Sequence, residues 1–136
     1  GGPRRAALVS HPALVPTLVS AAGGPAPGTE GTALQRAPDR RELLVQITEA
    51  GIGRALRTTT HTLAVTATPW RPLAGHRRGA ADRYRVSHLY DDVADPHQRR
   101  NLARDPAAAS VRAELAERLR AEIARVEGTA PTIVGS

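Results

Sequence analysis

Between Asp105-Pro106 and Gly128 the chain carries one unbroken helical pattern, and no other stretch so narrows what it can fold into. Asp105 can accept hydrogen bonds from free backbone N–H groups at a helix start, and Pro106 fits the first helical position, where no N–H is needed. Val111, Leu115, Leu119, Ile123 and Val126 form a single apolar stripe, while Glu114–Arg118 and Arg118–Glu122 are i,i+4 pairs on another face. Gly128 ends the pattern and Pro131 prevents its resumption. A helix over 106–127 with one greasy side needs a flat apolar surface to cover.

Strands supply that surface. Leu43-Leu44-Val45-Gln46-Ile47-Thr48 is a mostly apolar run suited to a buried strand, Glu49 to Gly53 turns the chain, and Arg54 to Thr58 leads back. Leu63, Val65 and Ala67 alternate with smaller or polar residues, and a fourth strand runs from Tyr84 toward Tyr90 and Asp91. The fold expected is α+β: a four-stranded antiparallel sheet (about 43–48, 54–58, 62–68 and 84–91) with the helix 106–127 across one face. Upstream, Leu14, Val15, Leu18, Val19 and Ala22 predict a helix over about 14–22, outside that unit. Pro16 sits too deep for a regular helix starting at Pro12, so either the first turn is irregular or the regular helix begins nearer Val15. Residues 23–41 read as a linker rich in Pro and Gly, which divides the chain at 1–41 and 42–136.

Composition limits the core and several function classes. Phe, Met and Cys are absent, and Trp70, Tyr84 and Tyr90 are the aromatics, so burial rests on Leu, Val, Ile and Ala. Without Cys these residues hold no disulfide, thiolate metal site or Cys nucleophile. A chain without Met that opens on Gly1-Gly2-Pro3 is expected to be a piece of something longer or a processed product. There is no secretory pattern and no apolar run near the ~18 residues of a membrane span, so the compartment stays unassigned. All 19 cations are Arg and the net charge is +6. That balance suits a nucleic-acid partner or reflects only a coding bias toward Arg and Ala.

Three segments, taken in order, resemble the type I sulfatases. Val9-Ser10-His11-Pro12-Ala13-Leu14-Val15-Pro16-Thr17-Leu18, ending at Ala22-Gly23, is similar to the family's "V-S-x-x-D-L-x-P-T-L-L-x-x-A-G" helix. Val45-Gln46-Ile47-Thr48-Glu49 with Gly53-Arg54-Ala55-Leu56-Arg57-Thr58 is similar to its "V-Q-I-S-E…G-R-A-I-R-T" strands. Leu89-Tyr90-Asp91-Asp92, Asp95-Pro96 and Asn101-Leu102 follow its "L-Y-D-L-x-x-D-P-x-E-x-x-N-L" segment. Ala13 stands where the family usually has Asp, and Thr59-Thr60-His61-Thr62-Leu63 replaces the usual aromatic and Lys. The resemblance implies the C-terminal part of an alkaline-phosphatase-like α/β enzyme, of the N-sulphoglucosamine sulphohydrolase C-terminal type. Residues 1–41 would then end the main domain and 42–136 form a C-terminal subdomain.

It also implies a sulfuric ester hydrolase whose chemistry lies elsewhere. In such enzymes a Cys or Ser in "C-x-P-x-R" becomes formylglycine and a divalent cation, usually calcium, neutralises the sulfate oxygens. This chain is expected to bind no cofactor itself and to have as its partner the missing N-terminal catalytic segment, with a sulfate ester as substrate of the whole. Glu49, Arg54 and Arg57, beside the first turn of the sheet, are the candidates for the rim of the substrate site, because Arg takes a sulfate oxygen pair in a fork. The plainer reading of Arg57 is a cross-sheet pair with a carboxylate. Asp91, Asp92 and Asp95 with His97 have the oxygens a hard cation wants, although Asp before Pro commonly bonds its own backbone. His11, His61, His76, His88 and His97 show no paired ligand spacing. Arg and Trp between Trp70 and Tyr84 have the makeup of a nucleic-acid strip or of a solvated loop. Two other classes stay open: a stand-alone, non-catalytic interaction module and an Arg-rich nucleic-acid-binding domain.

Overall fold

The computed structural model describes residues 7–25, 28, 31–36, 39–48, 51–68 and 79–135, which fall into two compact units, Gly1–Leu43 and Leu44–Ser136. In the first, a 3-10 turn at His11–Ala13 leads into helix α1, Leu14–Ala21. Pro16 explains the irregular start: its ring forbids the carbonyl contact that an α-helix begun at Pro12 would require. Thr17 ties this unit together, its hydroxyl donating to the Ala13 carbonyl at 2.6 Å and accepting from the Leu34 N–H at 2.9 Å. Gly31 passes so close to Pro12 that a Cβ would lie 1.8 Å from its carbonyl oxygen, so no larger residue fits. The apolar positions of α1 stay largely uncovered, with Leu18 69% exposed, as expected of a helix that lacks a counterpart.

The second unit is built on a five-stranded sheet in the order β1 (Glu42–Ile47), β2 (Gly53–Thr58), β3 (His61–Ala67), β4 (Arg83–Asp91) and β5 (Thr132–Val134). β2–β3 and β3–β4 pair antiparallel, and the register sets Leu56 opposite Leu63 and Leu63 opposite Leu89. Residues directly opposite share a face, so these three Leu form one fully buried row. Helix α2, Ala109–Glu127, lies over it with Leu115, Ala116, Leu119 and Ile123 buried. Its start is capped as read: after Asp105, whose side chain accepts from the Ala107 N–H at 2.9 Å, Pro106–Ala108 makes a 3-10 turn. Its end is Gly128 in the left-handed region at φ 78°, a conformation costly for other residues.

The sheet has one strand more than the sequence reading gave. β5 runs parallel beside β4, and Thr132 N–H reaches the Asp82 carbonyl at 2.9 Å. A parallel neighbour requires a crossover, and α2 is that crossover, so β4–α2–β5 forms a βαβ unit at the edge of an antiparallel sheet. β4 also departs from simple alternation. Val65 faces Val86 but Ala64 faces His88, which leaves Ser87 as a one-residue bulge.

Leu115→Ala should lower the stability of the second unit by roughly 2–5 kcal/mol, the usual range for emptying a closed apolar site, in urea denaturation. Val126, on the same nominal stripe but 49% exposed, should change it by less than about 0.5 kcal/mol when cut to Ala. A second consequence concerns Tyr84, buried in this core with its hydroxyl accepting from the Ala81 N–H at 3.1 Å. Burial pushes its phenol above the ordinary value of 10.0, outweighing the Ala81 hydrogen bond and nearby Arg54. The folded state therefore holds this proton longer than the unfolded chain does. That contribution is fully present below the unfolded pKa near 10 and is lost as pH rises through the higher folded value. Urea midpoints should fall above about pH 10, and Tyr84→Phe should flatten that decline.

Candidate functional site

Strand β2 brings two of the sequence-selected cations onto opposite faces of the sheet. Arg54 lies opposite Val65 on the helix side, 2% exposed, and each nitrogen of its guanidinium has a partner. Nε meets Glu127 Oε1 at 2.5 Å, Nη1 donates to the Gly53 carbonyl at 2.7 Å, and Nη2 donates to the Gly79 carbonyl. Gln46 of β1 donates to the same Glu127 oxygen at 3.1 Å. Glu127 closes α2, where the helix dipole disfavours an anion, and the Arg54 charge offsets that disadvantage. The pair links the last turn of the helix to the first two strands.

Arg57 is the more accessible of the two, with a 38% exposed side chain. Its Nη1 lies 2.7 Å from Asp92 Oδ1 and donates to the Thr62 hydroxyl, also at 2.7 Å. This is the cross-sheet carboxylate pair that the plainer sequence reading described. Asp92, only 4% exposed, accepts in addition from Thr62 at 2.7 Å and from the Gln98 amide at 2.7 Å. Gln98 reaches it from a backbone with φ 52°, the one non-glycine left-handed residue among those described. Such strain persists where surrounding bonds fix it. Glu49, the third rim candidate, lies outside the described residues, as do Trp70, Arg71 and His76.

The acidic turn after β4 does not fit a cation site, because its carboxylates already have partners. Asp91 Oδ1 accepts from the N–H groups of Val93 and Ala94 at 3.0 and 2.9 Å, and those hydrogen bonds hold its carboxyl below the usual carboxylate range. Asp95 Oδ2 accepts from the Arg100 N–H at 2.8 Å. Among the described residues no group of three or more His, Cys, Asp or Glu is placed to hold a metal ion. His61 and His88 each contact a neighbouring hydroxyl, Thr60 at 2.9 Å and Ser87 at 3.1 Å.

The Asn-Leu pair of the same segment is a clamp. Asn101 Oδ1 accepts from the Leu89 and Ala103 N–H groups at 3.0 and 2.9 Å, its Nδ2 donates to the Ser87 carbonyl at 3.0 Å, and Leu102 N–H reaches the Leu89 carbonyl at 2.7 Å. A depression of about 340 Å³ opens where this clamp meets the start of α2, lined by His61, Leu89, Asp91, Arg100, Asp105 and Val111 among others. Its charges are paired: Arg100 meets Asp105 at 2.8 Å and Asp91 is held by backbone.

Removing one partner of a buried pair leaves an uncompensated charge, whereas replacing both with apolar groups is often neutral. Glu127→Ala should cost about 3–5 kcal/mol, and the double variant Arg54→Met, Glu127→Leu should recover most of that loss. Denaturation midpoints of the two variants and the parent check this.

No family model matches the sequence, and no curated protein matches it. Solved structures do. A Bacteroides thetaiotaomicron protein assigned to the sulfatases superposes with a TM-score of 0.59 at 24% identity, over 84% of this chain and 24% of its own. A protein solved with its substrate D-glucosamine-2-N,6-O-disulfate gives 0.61 at 18% identity, over 88% and 24%. A 2-O GAG sulfatase gives 0.57 at 23% identity, over 84% and 24%. The chain thus spans about a quarter of the length of these structures, and it has the fold of the C-terminal portion of a sulfatase.

Proposed function

We propose that this chain is the C-terminal subdomain of a sulfuric ester hydrolase, non-catalytic on its own, which completes the fold and the rim of a substrate site built by a catalytic segment of the same protein. The observation that carries this is the match of nearly the whole chain to one quarter of sulfatase structures. The three sequence segments resemble the same family and occur in its order.

The chemistry supports the same division. Sulfate transfer needs an activated nucleophile and a preorganised cationic site for the non-bridging oxygens. These residues contain neither Cys nor Lys, and the acidic turn is committed to its own backbone and to Arg57. Formylglycine and a divalent cation would belong to the catalytic segment, where they would supply the attacking group and polarise the sulfate. Of the rim candidates Glu49, Arg54 and Arg57, Arg57 has the exposure to meet an anion. Arg54 would act by holding β2 against the end of α2.

The purified chain should turn over neither 4-nitrophenyl sulfate nor 4-nitrophenyl phosphate, with or without calcium. The coding sequence ahead of Gly1 should contain an in-frame "C-x-P-x-R" or its Ser counterpart. Turnover by the pure chain that a single substitution within it abolishes would overturn the non-catalytic assignment. A coding sequence with no such motif would favour the stand-alone interaction module.

A further inference from the structure

The face of the sheet turned away from α2 carries one sign of charge. On β4 it presents Arg83, Arg85, His88 and Tyr90, because the alternate residues Tyr84, Val86 and Leu89 pack with the core under α2. The strand carboxylates, Glu42 and Asp91, are in phase with the core residues Leu44 and Leu89 and so fall on the helix side. No Asp or Glu therefore stands among the strand residues of the outer face. Toward β2 that face is closed, with Ala55 7% exposed. Over β4 it is open: Arg83, Arg85 and His88 are all exposed.

Arg83 and Arg85 make no salt bridge or side-chain hydrogen bond among the described residues. Beside them His88 and Tyr90 stack, ring centroids 5.8 Å apart and planes 25° from parallel. The Ser87 bulge holds that stack in place. Its hydroxyl donates to the Ala64 carbonyl at 3.1 Å, so His88 Nδ1, also 3.1 Å from Ser87 Oγ, is the donor in their contact. Both rings and both cations thus follow one strand, about 20 Å from Arg83 to Tyr90 at the usual rise. The short side chains of Ala64 and Thr66 on β3 and of Thr132 on β5 flank it.

We propose that this strip binds single-stranded nucleic acid, with Arg83 and Arg85 on neighbouring phosphates and a base stacked on the His88–Tyr90 pair. Every base has a π-face, so stacking takes a single strand whatever its sequence. A duplex keeps its bases stacked on one another and offers this strip only its phosphates. Alternate residues of a strand stand roughly 6.5 Å apart, close to the step between phosphates of an extended single strand. Rings already fixed by the bulge lose little freedom when a base arrives. The same rings favour a nucleic acid over an acidic membrane, whose headgroups present no flat ring to stack.

Fluorescence anisotropy of a labelled single-stranded oligothymidylate, titrated with the chain over a series of salt concentrations, tests this. Binding should saturate, and its affinity should fall as salt rises. Arg85→Gln should weaken it and reduce the salt slope by about 0.7, the share of one phosphate contact on a single strand. Tyr90→Leu should weaken it about fivefold or more, the worth of one base stack, with the slope unchanged. His88→Leu, at an exposed position that the core does not use, should also weaken it. Arg120→Gln, on α2, should leave affinity and slope as they are. No saturable binding, equal weakening by Arg120→Gln, or full affinity in the folded Tyr90→Leu and His88→Leu variants would each overturn the proposal. So would equally tight binding of a duplex or of a charge-matched polyphosphate, or displacement of the oligonucleotide by phosphatidylserine vesicles. None of these outcomes bears on the sulfatase reading, which rests on the sequence ahead of Gly1.

Discussion

One helix covers one face of five strands, and it does so without Phe. This is the constraint on which the second unit depends. The seam is narrow: Leu56, Leu63 and Leu89 in a row on the sheet, with Leu115, Leu119 and Ile123 above them. With Tyr84 the one ring in that core among the described residues, the layers are also joined by polar links at the margins. The Arg54–Glu127 pair joins the C-terminal end of α2 to β2. At the other end, Asp105 caps the helix start while Asn101 fastens the preceding loop to β4.

This division explains why two Arg three positions apart on one strand have such different surroundings. An odd separation along a strand sends side chains to opposite faces. Arg54 therefore enters the seam and is consumed by it, while Arg57 emerges on the open face, where a buried carboxylate orients it. Their common position in a sulfatase-like segment gave no hint of the difference. What separates them is parity, together with a partner that lies 73 residues downstream for Arg54.

Local pattern carried much of the fold. The four antiparallel strands, the Asp105 cap, the Gly128 stop and the buried core of the α2 stripe were legible because each depends on spacing within a few residues. β5 was missed because Thr132-Ile133-Val134 is too short for a period to show, although three β-branched residues after Pro131 were a usable signal. Val126 was placed on the stripe by spacing alone, yet lies half exposed near the helix end. At the site, the Arg57–carboxylate pair was foreseen in kind. Gln98 was not, since nothing in sequence marks a left-handed Gln, and Asn101 was quoted as part of a motif with no bond assigned to it.

The bulge at Ser87 has a meaning best put in the language of insertions. Remove Ser87 and the alternation of β4 is intact: Arg85 and His88 face outward, Val86 and Leu89 inward, as in an unbroken strand. The residue is therefore a silent insertion as far as the two faces are concerned. What it adds is a carbonyl turned out of regular pairing, and Asn101 takes that carbonyl at 3.0 Å. A one-residue lengthening of the strand and an Asn fourteen positions later thus form a lock and its key.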